Sequence, residues 1–181
     1  MIIQNYYLSS DGYAIRIRVQ SDIKVTIGSE TDPLAVLSEH QDSFDLATMT
    51  VKGPSLGGTR YEVEHTLDPY VAIELVKRGG KTIIKNRYSA WIGQDGWVID
   101  IFGGDNAGLI IAECERMSPV VDLEIPKFCI EEVTDNSDFT NDSLVNVPYK
   151  EFRDEYIKGL EERINQSSVH FSRAFGENRL A

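Results

Sequence analysis

Charged and apolar residues alternate along several segments of this chain, with the two-residue period of a β-strand. Like charges stand two positions apart in four places: Arg16 and Arg18, Glu62 and Glu64, Lys85 and Arg87, and Glu113 and Glu115. Residues i and i+2 of a strand point to the same face of a sheet. Each segment is therefore expected to present one charged face and one apolar face.

Two interpretations of this alternation stay open from the pattern alone. An antiparallel sheet commonly packs one face on a core and leaves the other in water, which gives the same alternation. Like charges clustered in a sheet repel each other, however, unless something of opposite sign lies between them. That partner is either a neighbouring strand of opposite charge or a ligand. Basic and acidic strands in one small protein suggest a sheet face that binds an anion and a divalent metal together.

The pattern predicts a chain made mostly of strands. They are expected near Ile2–Leu8, Ala14–Gln20, Lys24–Ile27, Ala47–Val51, Arg60–His65, Thr82–Ala90, Gly96–Phe102 and Leu109–Arg116. Ser9-Ser10-Asp11-Gly12 and Gly93-Gln94-Asp95-Gly96 are typical of tight hairpin turns. Consecutive strands joined by short turns make an antiparallel meander, which can close into a barrel.

Helices are predicted in two main places. Asp68-Pro69 is an N-cap followed by proline at the first helical position, and Gly79-Gly80 ends that segment. The second helix is expected from Pro148 to about Ser168, with an apolar stripe every four residues at Phe152, Tyr156, Leu160 and Ile164. A helical turn is expected around Asp142–Asn146. The Gly28–Asp45 stretch has the composition of a loop insertion with one turn of helix around Leu34–Leu37.

Composition narrows the function classes. A chain of 181 residues is long enough for one domain with a proper core, so residues 1–181 are expected to form a single domain that ends in a helix and tail over 148–175. A net charge of −11 argues against a general nucleic-acid binder. No apolar run approaches the length of a membrane span, and the first residues lack the features of a signal peptide. Cys114 and Cys129 lie in apolar surroundings and are expected to be small buried hydrophobes in a reducing cytoplasm.

The ordered set of motifs resembles a known family. From about Gln4 to Phe152 the chain reads Arg16-Ile-Arg18, Lys52-Gly, Arg60-Tyr-Glu62-Val-Glu64, Lys85-Asn-Arg87-Tyr, Trp97-Val-Ile-Asp100-Ile-Phe102, Asn106-Ala-Gly-Leu109-Ile-Ile-Ala-Glu113-Cys-Glu115, Glu132-Val-Thr134 and Phe139-Thr-Asn141-Asp-Ser-Leu144. This succession is similar to the CYTH domain, also called the triphosphate tunnel metalloenzymes. Each piece is weak alone, whereas their order is specific.

The resemblance implies an α+β fold: an antiparallel β-barrel or tunnel with peripheral helices and charged side chains turned inward. The implied phosphate-binding cations are Arg16, Arg18, Lys52, Arg60, Lys85 and Arg87. Glu113 and Glu115 would hold Mg²⁺ or Mn²⁺, and Glu62, Glu64 and Asp100 would serve as further ligands or water-positioning groups. A triphosphate carries about four negative charges, which guanidinium groups match with paired hydrogen bonds. Family activities include hydrolysis of inorganic or organic triphosphates and adenylate cyclisation.

One family element is missing from the chain. No strand reads Glu-x-Glu-x-Lys, and Ile3–Ser10 instead matches a later family segment. Val98 also stands where family members often carry Glu. Either the start is misplaced or truncated, so that an intact product is an ordinary enzyme, or the chain is a divergent member.

Three functions follow from these alternatives. A metal-dependent triphosphate hydrolase is the leading hypothesis, a non-catalytic nucleotide or polyphosphate binder is its main rival, and an adenylate cyclase is the third. A tunnel without one wall exposes a sheet edge, which proteins usually cover. We therefore expect a homodimer, or a replacement strand from the Gly28–Asp45 region. No nucleic-acid or membrane partner is expected.

Overall fold

Seven antiparallel strands in the described part of the chain form one curled half-barrel sheet in the computed structural model. The structure describes residues 1–56, 59–114, 123–134, 136–167 and 171, and gives the backbone alone for residues 9, 55, 56, 59 and 60. The strands are β1 (Ile2–Ser10), β2 (Tyr13–Gln20), β3 (Leu46–Leu56), β4 (Thr59–Thr66), β5 (Lys81–Ile92), β6 (Asp95–Phe102) and β7 (Ile110–Cys114). Their order across the sheet is β4-β3-β2-β1-β5-β6-β7. The predicted α+β fold, an antiparallel barrel or tunnel with peripheral helices, is confirmed in the form of a half-barrel.

Two hairpin meanders meet at the middle of the sheet. Strands β1 to β4 follow one another, as do β5 to β7, and β1 pairs with β5 to join the two sets. The Asp11-Gly12 turn between β1 and β2 places both residues at positive φ, which Gly12 adopts without a steric penalty. The predicted hairpins therefore form, and the pairing between β1 and β5 is the one long-range step in the order.

Four α-helices accompany the sheet in the described part of the chain: α1 (Pro33–Glu39), α2 (Pro69–Arg78), α3 (Asn141–Leu144) and α4 (Tyr149–Asn165). The Asp68 side chain caps α2 as predicted, accepting a hydrogen bond from the Val71 amide. Asp32 caps α1 in the same way. None of the described helices is long and apolar enough to cross a membrane.

One face of the sheet packs on α1 and α2. Its core includes Ile3, Ile17, Ile84, Leu37 and Ile73, all nearly inaccessible to solvent. These residues occupy alternate strand positions and the inward sides of the two helices, so this face is the apolar face that the alternation predicted. It fixes the direction in which the intervening strand residues point.

The other face is partly covered by α3 and α4. Tyr6, Ile83 and Phe102 of the sheet form a second core with Leu144 and Tyr149. A buried side chain joins the two layers: Asn106 Oδ1 accepts from the Tyr149 amide at 2.7 Å, and Asn106 Nδ2 donates to the Leu144 carbonyl at 3.4 Å. The predicted stripe of α4 packs here through Phe152 and Tyr156, whereas Ile164 is 48% exposed.

Two local predictions are wrong. Lys24–Ile27 is extended but joins no strand ladder; Ile23, Val25 and Ile27 pack instead on the apolar face of the sheet, which satisfies the same alternation without pairing. The Gly28–Asp45 region supplies no replacement strand. It forms α1 and a short 3-10 turn at Gln41–Ser43, because Asp32-Pro33 initiates a helix whose Leu37 is buried.

Cys114 and Cys129 are half-buried and pack against a third, smaller core that contains Trp97, Leu123 and Ile125. Burial raises the pKa of the Cys129 thiol. The two cysteines are thus part of the packing, although less deeply buried than expected.

Candidate functional site

Strand register places the described members of the predicted charged set on one face. We call it the charged face; it comprises Arg16, Arg18, Lys52, Glu62, Glu64, Lys85, Arg87, Asp100 and Glu113. Arg16 lies opposite Thr50 and Thr50 opposite Glu64, while Lys52 lies opposite Glu62. In the other half of the sheet, Arg87 lies opposite Asp100. Glu113 lies opposite Val98, two residues from Asp100 on β6. The sequence alternation therefore predicted the common face correctly.

Burial decides between a solvated face and an inward one. Lys85 is 0% exposed, Asp100 is 1% exposed and Arg16 is 4% exposed. Charged side chains are almost never buried to this degree unless they are paired. The centre of the charged face is therefore turned inward, as the family resemblance implied, whereas the side chains of Glu62, Glu64 and Glu113 are 40%, 47% and 39% exposed.

Asp100 is the centre of the first ion-pair cluster. Its Oδ2 accepts from Lys85 Nζ at 2.6 Å, and its two oxygens accept from Arg87 Nε and Nη2, each at 2.7 Å. Glu113 is more peripheral, with Oε2 at 3.7 Å from Arg87 Nη2. Both Asp100 oxygens thus accept hydrogen bonds from cations. The role of Asp100 as a water-positioning group stays a prediction.

The second cluster lies on β2, β3 and β4. Arg16 Nη2 donates to Thr50 Oγ1 at 2.6 Å and to Glu64 Oε2 at 3.2 Å, and Lys52 Nζ is 2.8 Å from Glu62 Oε2. Arg16 Nε is buried without a hydrogen-bond partner in the structure. A buried, unpaired donor on a cation is a site that an anion would satisfy.

Arg18 lies between the two clusters. Its Nε donates to Gln4 Oε1 at 3.0 Å. Within the described part of the chain, no carboxylate oxygen lies within 4.0 Å of the Arg18 side-chain nitrogens. The guanidinium is thus held in place by a neutral amide, with its terminal nitrogens available to a ligand.

The pKa shifts of Arg18 and Lys85 reflect burial first and neighbouring charges second. Burial, with the neighbouring charges of Arg16 and Arg87, lowers the pKa of Arg18 to about 10. Burial lowers the pKa of Lys85 to about 8, although Asp100 acts in the opposite direction. Burial alone would raise the pKa of Asp100, but hydrogen bonds from Arg87 and the charge of Lys85 hold it below its usual value.

The carboxylates do not converge on a metal site in the residues that the structure describes. No group of three or more His, Cys, Asp or Glu side chains there is placed to hold an ion. Glu62, Glu64, Asp100 and Glu113 each lie within ion-pair distance of a cation. Glu115 lies outside the described residues, and Arg60 belongs to β4 without a described side chain. The described side chains alone therefore form no metal site, and the Glu113–Glu115 pair that the family resemblance implies as ligands is only half described.

Sequence reasoning missed Gln4, Thr50 and Asn141 as members of the site. Gln4 is fully buried on β1, and its Nε2 donates to Tyr6 Oη at 3.2 Å and to Asn141 Oδ1 at 3.3 Å. Neutral polar residues give no charge signal, so alternation of charge could not find them. The spacing of Gln4 and Tyr6 could have identified them, because residues two apart in β1 lie on one face, and that face carries the charged residues.

Comparison with known proteins supports this picture. An inorganic triphosphatase of Acetivibrio thermocellus is 34% identical to this chain over 112 residues, which are 61% of this chain and 72% of the relative. The chain belongs to the CYTH, or triphosphate tunnel metalloenzyme, family. No family model and no solved structure matches it.

The family resemblance implied this inward charge. Burying a cation such as Arg18 without an acid costs free energy, which a bound anion would offset. In this CYTH protein Trp97, Phe102 and Leu109, which belong to the matched motifs, are all buried.

Proposed function

We propose that this CYTH protein is a triphosphate hydrolase that binds the phosphate chain of inorganic tripolyphosphate, or of an organic triphosphate, on the charged face. The observation that carries the proposal is Arg18, a largely buried cation flanked by Arg16 and Arg87 with no described carboxylate in ion-pair range. Similarity to an inorganic triphosphatase supports the choice of a phosphoanhydride substrate.

The charge distribution favours an extended polyanion over a single phosphate. Cations lie on both halves of the sheet, with Arg16 and Lys52 on one side of Arg18 and Lys85 and Arg87 on the other. Arg60 is a further proposed contact. A chain of three phosphates can reach several of these groups at once, and charge-assisted hydrogen bonds to phosphate are about twice as strong as neutral ones.

Hydrolysis requires more than binding. An anhydride is cleaved when a water attacks a phosphorus in line with the leaving oxygen while cations stabilise the developing charge. The cations of the charged face supply part of that stabilisation. We propose Glu62, Glu64 and Asp100 as acids that orient water or ligands, and Glu113 and Glu115 as the ligands of the Mg²⁺ or Mn²⁺ that the family resemblance implies.

A specific observation favours binding without turnover as the second candidate. The four described carboxylates of the site each lie within ion-pair distance of a cation. A site of this kind neutralises itself when empty, and an anion can replace the carboxylates as the partner of the cations.

Phosphate release from tripolyphosphate, with and without Mg²⁺ or Mn²⁺, separates the two candidates. Metal-dependent release that is lost in the double variant Glu113→Gln and Glu115→Gln would support the hydrolase and its metal ligands. Calorimetric binding of tripolyphosphate by a folded sample that releases no phosphate would instead support the binder. Release without any added metal, unaffected by the double variant, would remove both glutamates from the site.

A further inference from the structure

Asn141 connects the two halves of the charged face, although it lies on neither. It is the first residue of α3, and its Oδ1 accepts from Lys85 Nζ at 2.8 Å and from Gln4 Nε2 at 3.3 Å. Gln4 Oε1 in turn accepts from Arg18 Nε at 3.0 Å. A continuous chain of hydrogen bonds thus runs from Arg18 through two neutral amides to Lys85.

Each amide presents its oxygen to a cation. Gln4 Oε1 takes one donor of Arg18, so that the two terminal nitrogens of that guanidinium remain for a ligand. Asn141 Oδ1 and Asp100 Oδ2 take two donors of the Lys85 ammonium, which is 0% exposed and lies 5.2 Å from the centroid of the Phe102 ring. The amides therefore fix the directions of the remaining donors without adding negative charge that would compete with an anion.

The segment that carries Asn141 is firmly attached. Phe139 packs edge-on against Phe152 and Tyr156, with ring centroids 5.7 Å and 5.0 Å away. Asn106 holds the following residues through the Leu144 carbonyl and the Tyr149 amide. Because packing on both sides locates α3, Asn141 Oδ1 has a fixed position above the sheet.

We propose that Asn141 is a positioning residue for phosphate-chain binding, acting through Lys85 and, by way of Gln4, through Arg18. This inference rests on the proposed binding of a triphosphate to the charged face. It adds that Asn141, the neutral first residue of α3, orients two of the binding cations, Lys85 and Arg18.

The test is a double-mutant cycle on the dissociation constant for tripolyphosphate, measured by calorimetry on the full chain in EDTA. Asn141→Ala removes a hydrogen bond to a charged group and is expected to weaken binding about tenfold. In a Lys85→Met background the same change is expected to matter less than twofold, because its main route of action has gone. Asn141→Ser, which keeps a polar group at the start of α3, replaces the alanine variant if the latter does not fold.

Asn146→Ala is the matched control. Asn146 lies five residues further along the same segment, and its Oδ1 is 3.4 Å from Nζ of the exposed Lys81. Binding by this variant is expected to equal that of the wild type. The inference is overturned if Asn141→Ala binds as the wild type does, or if it weakens binding equally in both backgrounds, which would mean a purely structural role. A folded wild type that does not bind millimolar tripolyphosphate would instead contradict the proposed function, and the inference would fall with it.

Discussion

The Asp100 cluster gives the strongest single prediction about the fold. The Asp100 side chain is 2% exposed and holds Lys85, 0% exposed, and Arg87, 26% exposed, through contacts of 2.6–2.7 Å. Asp100→Asn keeps the shape but leaves two cations facing each other with no acid between them. Breaking one side of a buried ion pair costs about 3–5 kcal/mol. We expect a loss of that order in the free energy of unfolding, measured by urea denaturation at pH 7.

Asp105→Asn is the control for this change. It removes an equivalent contact, Lys150 Nζ to Asp105 Oδ1 at 2.8 Å, from a pair whose side chains are 52% and 61% exposed. Exposed pairs contribute little, so the urea midpoint should hardly move. A loss of less than about 1 kcal/mol for Asp100→Asn would refute the argument, because it would mean that the cluster is hydrated or not formed.

The pH dependence of the same comparison follows from the direction of the shift. The pKa of Asp100 is held below its usual value by Arg87 and Lys85. The stabilisation from its charged form is therefore fully present above the ordinary aspartate pKa of about 3.9. The gap between wild type and Asp100→Asn should close as the pH falls through the lowered value.

A ligand should partly repair the damage. Tripolyphosphate at 100 times its dissociation constant stabilises a folded protein by about 2.7 kcal/mol. If the charged face binds this anion, Asp100→Asn should gain at least as much stability from it as the wild type does, because Lys85 and Arg87 have lost their acid. The contrary result is a ligand that stabilises the wild type yet leaves the free energy of unfolding of Asp100→Asn unchanged. That result would indicate that Lys85 and Arg87 do not contact the phosphate chain.

Two further predictions concern Lys85 and Asn106. The pKa of Lys85 is lowered to about 8, so its charge is present below that pH and lost above it. The dissociation constant for tripolyphosphate of Lys85→Met, divided by that of the wild type, should therefore fall towards one between pH 7 and pH 9. A ratio that stays constant over this range would contradict the lowered pKa. Asn106→Ala removes the acceptor of the buried Tyr149 amide and should cost about 1–3 kcal/mol in urea denaturation, whereas a neutral result would mean that water or a rearranged α4 replaces it.

Sequence patterns were sufficient to predict the features that depend on local backbone geometry, such as the face of a strand residue and the start of a helix. The two-residue period placed Arg16, Arg18, Lys85 and Arg87 on one face, and proline and aspartate marked the start of α2. These features follow from backbone geometry within one segment. They also identified the family, since the order of the charged pairs is carried by the strands themselves.

The contacts within the site could not be predicted because they depend on distant pairings. Lys85 meets Asn141 across 56 positions, and Gln4 meets it across 137. Both contacts need β1 beside β5 and α3 packed above them, which no local pattern specifies. The prediction of a strand at Lys24–Ile27 was wrong for a related reason. Apolar and polar residues alternate in the same way whether an extended segment pairs within a sheet or packs across its face.

Binding of tripolyphosphate in EDTA by wild type and Arg18→Met tests the central claim most directly. Arg18 has no described carboxylate partner, so its loss should weaken binding about tenfold or more while leaving the ion-pair clusters intact. Arg153→Met, which removes an exposed arginine of α4 beside Asp154, should bind as the wild type does. We expect the wild type and Arg153→Met to bind tripolyphosphate equally well, and Arg18→Met to bind it more weakly. Equal affinity in all three proteins, or no binding by the folded wild type at millimolar ligand, would contradict the proposed binding of a triphosphate on the charged face.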